Sequence, residues 1–406
     1  MNLAQEGKAI SLEDSLDMIL HQGLASGRAF ALWRKPNSRT LHFILDDRQV
    51  SNRVDLSLEN LGPGFIVHPF ADQDDRKAYF IHADQHLSFS LDESFCAEDL
   101  PDEVTSLSVS LSQKARKAAI AQLLDQQLQE LKEKSLPRED KVNFIRLVKL
   151  GIHAISQGSL EKIVPARTKT LPLPEFFDLG KTLSQLLQTY PFSFIHFFHL
   201  PRIGTWLGAS PESLIETRGD YFYTMSVAGT QAAQGDNPLK SAAWTQKEIE
   251  EQALVSRYIV DCFKTIRLRE YEEQGPRTIL AGNLLHLRSD FKVNTKTTGF
   301  SNLGSVMLAL LHPTSAVCGM PRNAAQAFLK AEEGFDRSFY AGFLGPVHIE
   351  NETCLYVNLR TASLHPKQAI LYAGAGVTAD SDPEKEWEET ELKCKIIGKF
   401  IQNPDA

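Results

Sequence analysis

The apolar positions of the chain change their period along its length. Up to about residue 110, a helical stretch is followed by short apolar runs such as "RAFALWRKP" and "TLHFILDD", separated by turn-rich pieces; this predicts one helix and several short strands. Residues 112–135, "SQKARKAAIAQLLDQQLQELKEKS", carry helical spacing and predict a helix ended by Leu136 and Pro137. Beyond Pro137 the pattern alternates, with helix over 139–157, strand over 161–170, helix over 176–189, and strands near 192–200, 203–208, 212–218 and 221–227. The strands arrive in runs with short turns ("HLPRIG", "TRGD"), which favours antiparallel sheets with helices packed outside. No internal repeat or low-complexity segment is visible. The simplest reading is one large α+β domain, with residues 1–135 an elaborated N-terminal part and 136–406 the principal region. Residues 1–110 carry no chemical motif and are expected to add to the second sheet and its outer layers.

Composition narrows the class. At 406 residues, 42% hydrophobic and 23% charged, the chain is ordinary globular material with enough apolar surface for a large core. A net charge of −8 without a long Lys/Arg run argues against a nucleic-acid or anionic membrane surface as the main partner. Five scattered cysteines without a CxxC pair suggest neither a disulfide framework nor a zinc site. No basic-then-apolar leader opens the chain, and no run approaches the ~18 apolar residues of a membrane span. A cytoplasmic protein is expected.

The densest chemistry lies in residues 371–393, "LYAGAGVTADSDPEKEWEETELK". Asp382 can cap a helix and Pro383 suits its first position. Glu386, Glu389 and Lys393 then fall at i, i+3 and i+7 on one face, with Trp387 and Leu392 off it and able to pack inward. A second helix, "TQKEIEEQALVSRYIVDCF", repeats the device with Glu248 and Glu251. A Glu-rich helical face is ordinarily solvated surface. What changes the weighting is "AGAG", because Gly374 and Gly376 let backbone amides approach a ligand closely. An anion between those amides and a divalent cation on the glutamates would satisfy both halves; Mg²⁺ takes one or two protein carboxylates and leaves other positions to water and substrate.

These segments, together with "LHPTSAVCGMPRNAAQAFLKAEEGFDRSFYAGFLGPV" and "YVNLRTASL", resemble the C-terminal signature of the chorismate-utilising enzymes, the isochorismate synthases most closely. The resemblance continues upstream through "LEKIVPART", "WLGASPESLIE", "VAGT", "KEIEEQALV" and "LLHL", covering roughly residues 140–400 in family order. It implies two mostly antiparallel sheets packed together with helices outside, and places the chorismate-binding catalytic region in 136–406. Glu251 and Glu389 match direct Mg²⁺ ligands, and Glu248 and Glu386 match holders of its water shell. Arg360, Lys393 and Tyr340 match the groups that bind the enolpyruvyl carboxylate, with the amides around Gly374 and Gly376 completing the clamp. A planar guanidinium suits that task by meeting a carboxylate in two parallel bonds. His286 matches a histidine near the ring, and Gly229 and Thr230 match a substrate-lining turn.

Lys162 matches the base that activates water in isochorismate and salicylate synthases, and Glu212 matches the general acid. Taken singly, the two would read as a solvated flank and a turn residue. A lysine base must be neutral part of the time, which requires burial or a cationic neighbour; the acid needs an apolar setting or nearby carboxylates. The implied reaction is addition of water at ring carbon 2 of chorismate with loss of the carbon 4 hydroxyl, giving isochorismate. Ala228 stands where aminodeoxychorismate synthases carry a nucleophilic lysine. Salicylate synthase, anthranilate synthase component I and a silent scaffold are the alternatives, and Lys162 speaks against the ammonia-using branch and its glutaminase partner. Three departures stand out: Pro165 in a strand, predicting a bulge or an edge; "QAAQGD" after "AGT", where basic residues are usual; and Gln252 in place of a common histidine. The downstream route, menaquinone, siderophore or salicylate, is not encoded visibly. Nor is the oligomeric state, for which a monomer is the default.

Overall fold

The structure, a computed structural model, describes residues 11–49, 51–71, 77–91, 111–131, 140–233, 237–281 and 284–402. Among them, two large sheets carry the fold. One has eight strands in the order Gln85–Ser90, Thr40–Leu45, Phe30–Arg34, Phe194–Leu200, Gly204–Ser210, Thr361–His365, Gln368–Gly374 and Ala166–Pro172. The other has nine: Glu272–Ala281, Leu284–Asn294, Tyr221–Ala232, Ser213–Arg218, Glu352–Val357, Phe343–Val347, Gly64–His68, Lys77–His82 and Asn52–Asp55. The pairings are antiparallel. The α+β architecture expected from the alternation is therefore present. The N-terminal strands, however, enter both sheets rather than the second alone.

The eight-stranded sheet is covered on both faces, and this explains its nearly continuous apolar strands. On Phe30–Arg34, Ala31 and Trp33 face the core between the sheets, while Phe30 and Leu32 face an outer cluster. Phe194 and Phe198 likewise point inward, Ile195 and Phe197 outward. Phe194 stacks on Tyr356 of the opposite sheet at 4.0 Å between ring centroids, and Trp33 meets Phe65 at 5.2 Å. The outer cluster is closed by helices Leu12–Ser26, Gln113–Gln129, Leu179–Thr189 and Pro383–Gln402. Gln113–Gln129 buries Arg116, Ile120, Leu124 and Leu128, one face at four-residue spacing, so it is a packed outer helix. It stops at Gln129, short of the expected 112–135, and Leu136 and Pro137 lie outside the described residues.

Two elements that frame the site follow from local sequence. Pro383–Gln402 starts where Asp382 Oδ1 accepts from the amides of Glu384 and Lys385, both at 3.0 Å, as expected of a cap followed by proline. Leu392 departs from expectation: it is half exposed, whereas Trp387 packs edge-on against Phe144. Gln246–Thr265 begins with a capping box in which Glu248 accepts from the Thr245 amide at 2.7 Å. The strand expected over 161–170 is broken. Lys162–Ile163 pairs with Gly319–Met320, and Ala166–Pro172 forms an edge of the eight-stranded sheet, with Pro165 between them.

Candidate active site

The residues picked out from the sequence converge. All of them except Glu386 line one cavity of about 110 Å³. Lys162 comes from the short strand, Glu212 from the turn after Gly204–Ser210, and His286 from Leu284–Asn294. Gly229 and Thr230 sit at a register shift in Tyr221–Ala232, where Gly229 has φ +68°, a conformation that suits glycine. Glu248 and Glu251 come from one helix, Glu389 and Lys393 from the other. Arg360 reaches the cavity from a left-handed backbone, φ +48°, between Glu352–Val357 and Thr361–His365. Val164, Ala228, Val317 and Leu359 complete the walls. Lys247 lines the cavity too and was not singled out, although its four-residue spacing from Glu251 was a readable signal.

Ion pairs dominate the interior. Lys162 Nζ, buried with only 1% of its side chain exposed, donates to Glu251 Oε1 at 2.8 Å. Glu251 Oε2 also accepts from the Gly229 amide at 3.3 Å. Lys393 Nζ meets Glu389 Oε1 at 2.5 Å and donates to the Gly374 carbonyl at 2.9 Å. Lys247 Nζ holds Glu386 Oε1 at 2.8 Å, and this bond joins the two helices. Glu386 is thus buried behind the cavity rather than at its wall, because Lys247 supplies the charge that its burial requires. The open row of amides expected at the glycine turn is only partial, since the Ala375 amide donates to the Pro165 carbonyl at 3.2 Å. Gly376 is needed for packing: a Cβ there would lie 2.5 Å from Glu251 Oε1 and 3.2 Å from Lys162 Cε.

Burial sets the protonation states around these pairs. It pushes the Glu212 carboxyl up to about 7, against the pull of Arg360, Lys162 and Lys393. Burial rather than an apolar lining thus supplies the protonated form that an acid requires. Burial would also raise Glu251, but the Lys162 charge and hydrogen bond, with Lys393 and Lys247, hold it below the usual carboxylate range. Burial lowers His286 to about 4, so the ring is neutral at physiological pH. Its Nδ1 lies 2.8 Å from the Gly229 carbonyl, which can only accept; Nδ1 therefore carries the proton and Nε2 is left as an acceptor. Burial raises Tyr340 to about 12, keeping it a phenol, and its ring stacks on Tyr372 at 5.4 Å.

The donor set suits a hard cation in type: carboxylate oxygens on two helices that face one cavity. Among the described residues, however, no three His, Cys, Asp or Glu side chains converge closely enough to hold a metal ion. Lysines occupy the carboxylates instead. Mg²⁺ on Glu251 and Glu389 would take the oxygens that Lys162 and Lys393 now hold. The cavity is smaller than the ~300–1,000 Å³ usual for small-molecule sites.

Known proteins resemble this chain in sequence and in fold. The isochorismate synthase EntC of Escherichia coli is 28% identical over 281 residues, covering 67% of this chain and 70% of that one. The isochorismate synthase DhbC of Bacillus subtilis is 31% identical over 263 residues, covering 62% and 65%. In fold, the menaquinone-specific isochorismate synthase MenF of Escherichia coli superposes with a TM-score of 0.70 at 21% identity over 94% of this chain and 91% of that one. Anthranilate synthase component I of Streptococcus pneumoniae follows at 0.61 and 17%, over 91% and 92%. Residues 80–402, which include every residue lining the cavity, match the family described as chorismate binding enzyme, and the chain belongs to that family.

Proposed function

We propose that the protein is an isochorismate synthase acting on chorismate. The observation that carries this reading is the meeting of Lys162 and Glu212 in one buried cavity, with Arg360 and Lys393 beside them. EntC and DhbC, which match by sequence, are isochorismate synthases by name, which supports it. The Lys162 amine takes a proton from water as the water oxygen bonds to ring carbon 2. The ring double bonds shift, the bond from carbon 4 to its hydroxyl breaks, and Glu212 protonates the departing oxygen so that it leaves as water. One water is consumed and one released; a proton passing from Lys162 back to Glu212 restores the site. Arg360, Lys393 and Tyr340 bind the enolpyruvyl carboxylate, His286 and the turn at Gly229 and Thr230 border the ring, and Gly374 and Gly376 floor the pocket. Ala228 lines the wall without offering a nucleophile.

Magnesium is part of the proposal. Glu251 and Glu389 would hold it directly and Glu248 and Glu386 through water, and once bound it would neutralise the ring carboxylate of the substrate. No helix among the described residues is long and apolar enough to cross a membrane. The thiols of Cys262, Cys318 and Cys354, buried and outside any disulfide, support a cytoplasmic setting.

Incubation of the purified protein with chorismate and Mg²⁺, without ammonia, followed by chromatography, tests the reading. An equilibrating mixture of chorismate and isochorismate, abolished by EDTA, is expected. Salicylate with pyruvate would move the protein to the salicylate synthases, and conversion only with ammonia would overturn the role of Lys162. A Lys162→Ala variant should lose about 10²–10⁴-fold in kcat, the usual worth of a general base.

A further inference from the structure

The chain breaks its pairing at Pro165, and a buried ion pair outside the proposed chemistry spans the break. Ile163 exchanges both backbone hydrogen bonds with Val377, at 3.1 and 2.8 Å, and the Val164 amide donates to Cys318 at 2.9 Å. Pro165 has no N–H to give. Across it, Arg337 Nη2 donates to the Val164 carbonyl at 2.7 Å and Glu333 Oε1 accepts from the Ala166 amide at 2.7 Å. The two side chains join each other at 2.6 and 2.7 Å, and Arg337 Nη1 donates to the Val317 carbonyl at 2.8 Å. Both are almost fully buried, at 4% and 3% exposure.

A buried salt bridge is weak evidence of stabilisation, since apolar replacements of similar volume often do as well. This one does something that an apolar pair could not: it supplies an acceptor and a donor to the two backbone groups flanking a proline. Those groups lie two and four residues beyond Lys162, and Val164 and Val317, whose carbonyls Arg337 holds, line the active cavity. We propose that Glu333 and Arg337 are positioning residues for Lys162, clamping the backbone across Pro165 and so setting where the amine sits relative to Glu251 and Glu212. The inference rests on the reading of Lys162 as the base.

Glu333→Asp keeps the charge but shortens the reach to Ala166, and Arg337→Lys keeps the charge but loses the fork. Each should lower kcat by about 10²-fold, the scale of an ångström's misplacement, with KM for chorismate held within about twofold. Hydrogen–deuterium exchange should rise in residues 162–172 and stay unchanged in the helix Pro383–Gln402. In a Lys162→Ala background, Glu333→Asp should cost nothing further, because the two act as a unit. Wild-type kcat in Glu333→Asp, a loss borne mainly by KM, or unaltered exchange at 162–172 would overturn the clamp. Should Arg337→Lys not fold, Glu333→Asp decides alone. Failure of the wild-type protein to convert chorismate would instead retire the functional reading, leaving the exchange experiment to decide the clamp by itself.

Discussion

Glu212 is a carboxyl among three cations that nonetheless titrates near 7, because burial outweighs their attraction. A proton donor works in its protonated form, which predominates below that value and is lost as pH rises through it. With Glu212 as the acid, kcat/KM for chorismate should fall about tenfold per pH unit above about 7 in the limb belonging to this group. A profile flat from pH 6 to 9 would remove Glu212 from the role. Gly376 makes a different demand, for space rather than charge. Gly376→Ala would press a methyl against the Glu251 and Lys162 side chains. Activity should drop at least tenfold while the melting temperature stays within a few degrees, since neither neighbour is needed to hold the sheets together. Equal losses of both would mean that the glycine serves the fold alone.

The two acidic helices are joined by one lysine, Lys247 to Glu386, while Glu251 and Glu389 pair with Lys162 and Lys393. Spacing correctly placed Glu386, Glu389 and Lys393 on one face, but it did not show that three of the carboxylates would find a lysine: Lys162 for Glu251, Lys247 for Glu386, Lys393 for Glu389. If the cation binds where proposed, it competes with Lys162 for Glu251. A Lys162→Ala protein should therefore bind Mg²⁺ more tightly than the wild type in the absence of chorismate, by about tenfold for ~1.4 kcal/mol of competition removed. Titration calorimetry measures this directly. Unchanged or weaker affinity would place the cation elsewhere.

Among the described residues, the larger of the two buried apolar clusters lies where the two sheets face each other. Phe194 and Tyr356 stack across that interface, and each is nearly inaccessible. Phe194→Ala should cost about 3–5 kcal/mol, read as a shift of the urea midpoint. Loss of activity and of secondary structure should coincide during unfolding, because the cavity draws residues from both sheets.

Much of this was legible in the residues. The helix starts at Asp382 and Thr245, the carboxylate spacing and the break at Pro165 are local effects, governed by capping bonds, helical periodicity and a missing N–H. The resemblance to the chorismate-utilising enzymes supplied most of the list of cavity residues, Lys247 not among them. The strand partners were not legible: Phe30–Arg34 lies against Phe194–Leu200, and a strand buried on both faces shows no alternation to report which neighbour it has. Nor could spacing assign ion pairs between segments far apart in the chain, so the bond from Lys247 to Glu386 that joins the two helices was not readable. The clamp of Glu333 and Arg337 on Lys162's strand belongs to the same class. Local interactions act through neighbours along the chain and are written in its order, whereas charge pairing and backbone satisfaction in a core depend on distances that exist only once the sheets have closed.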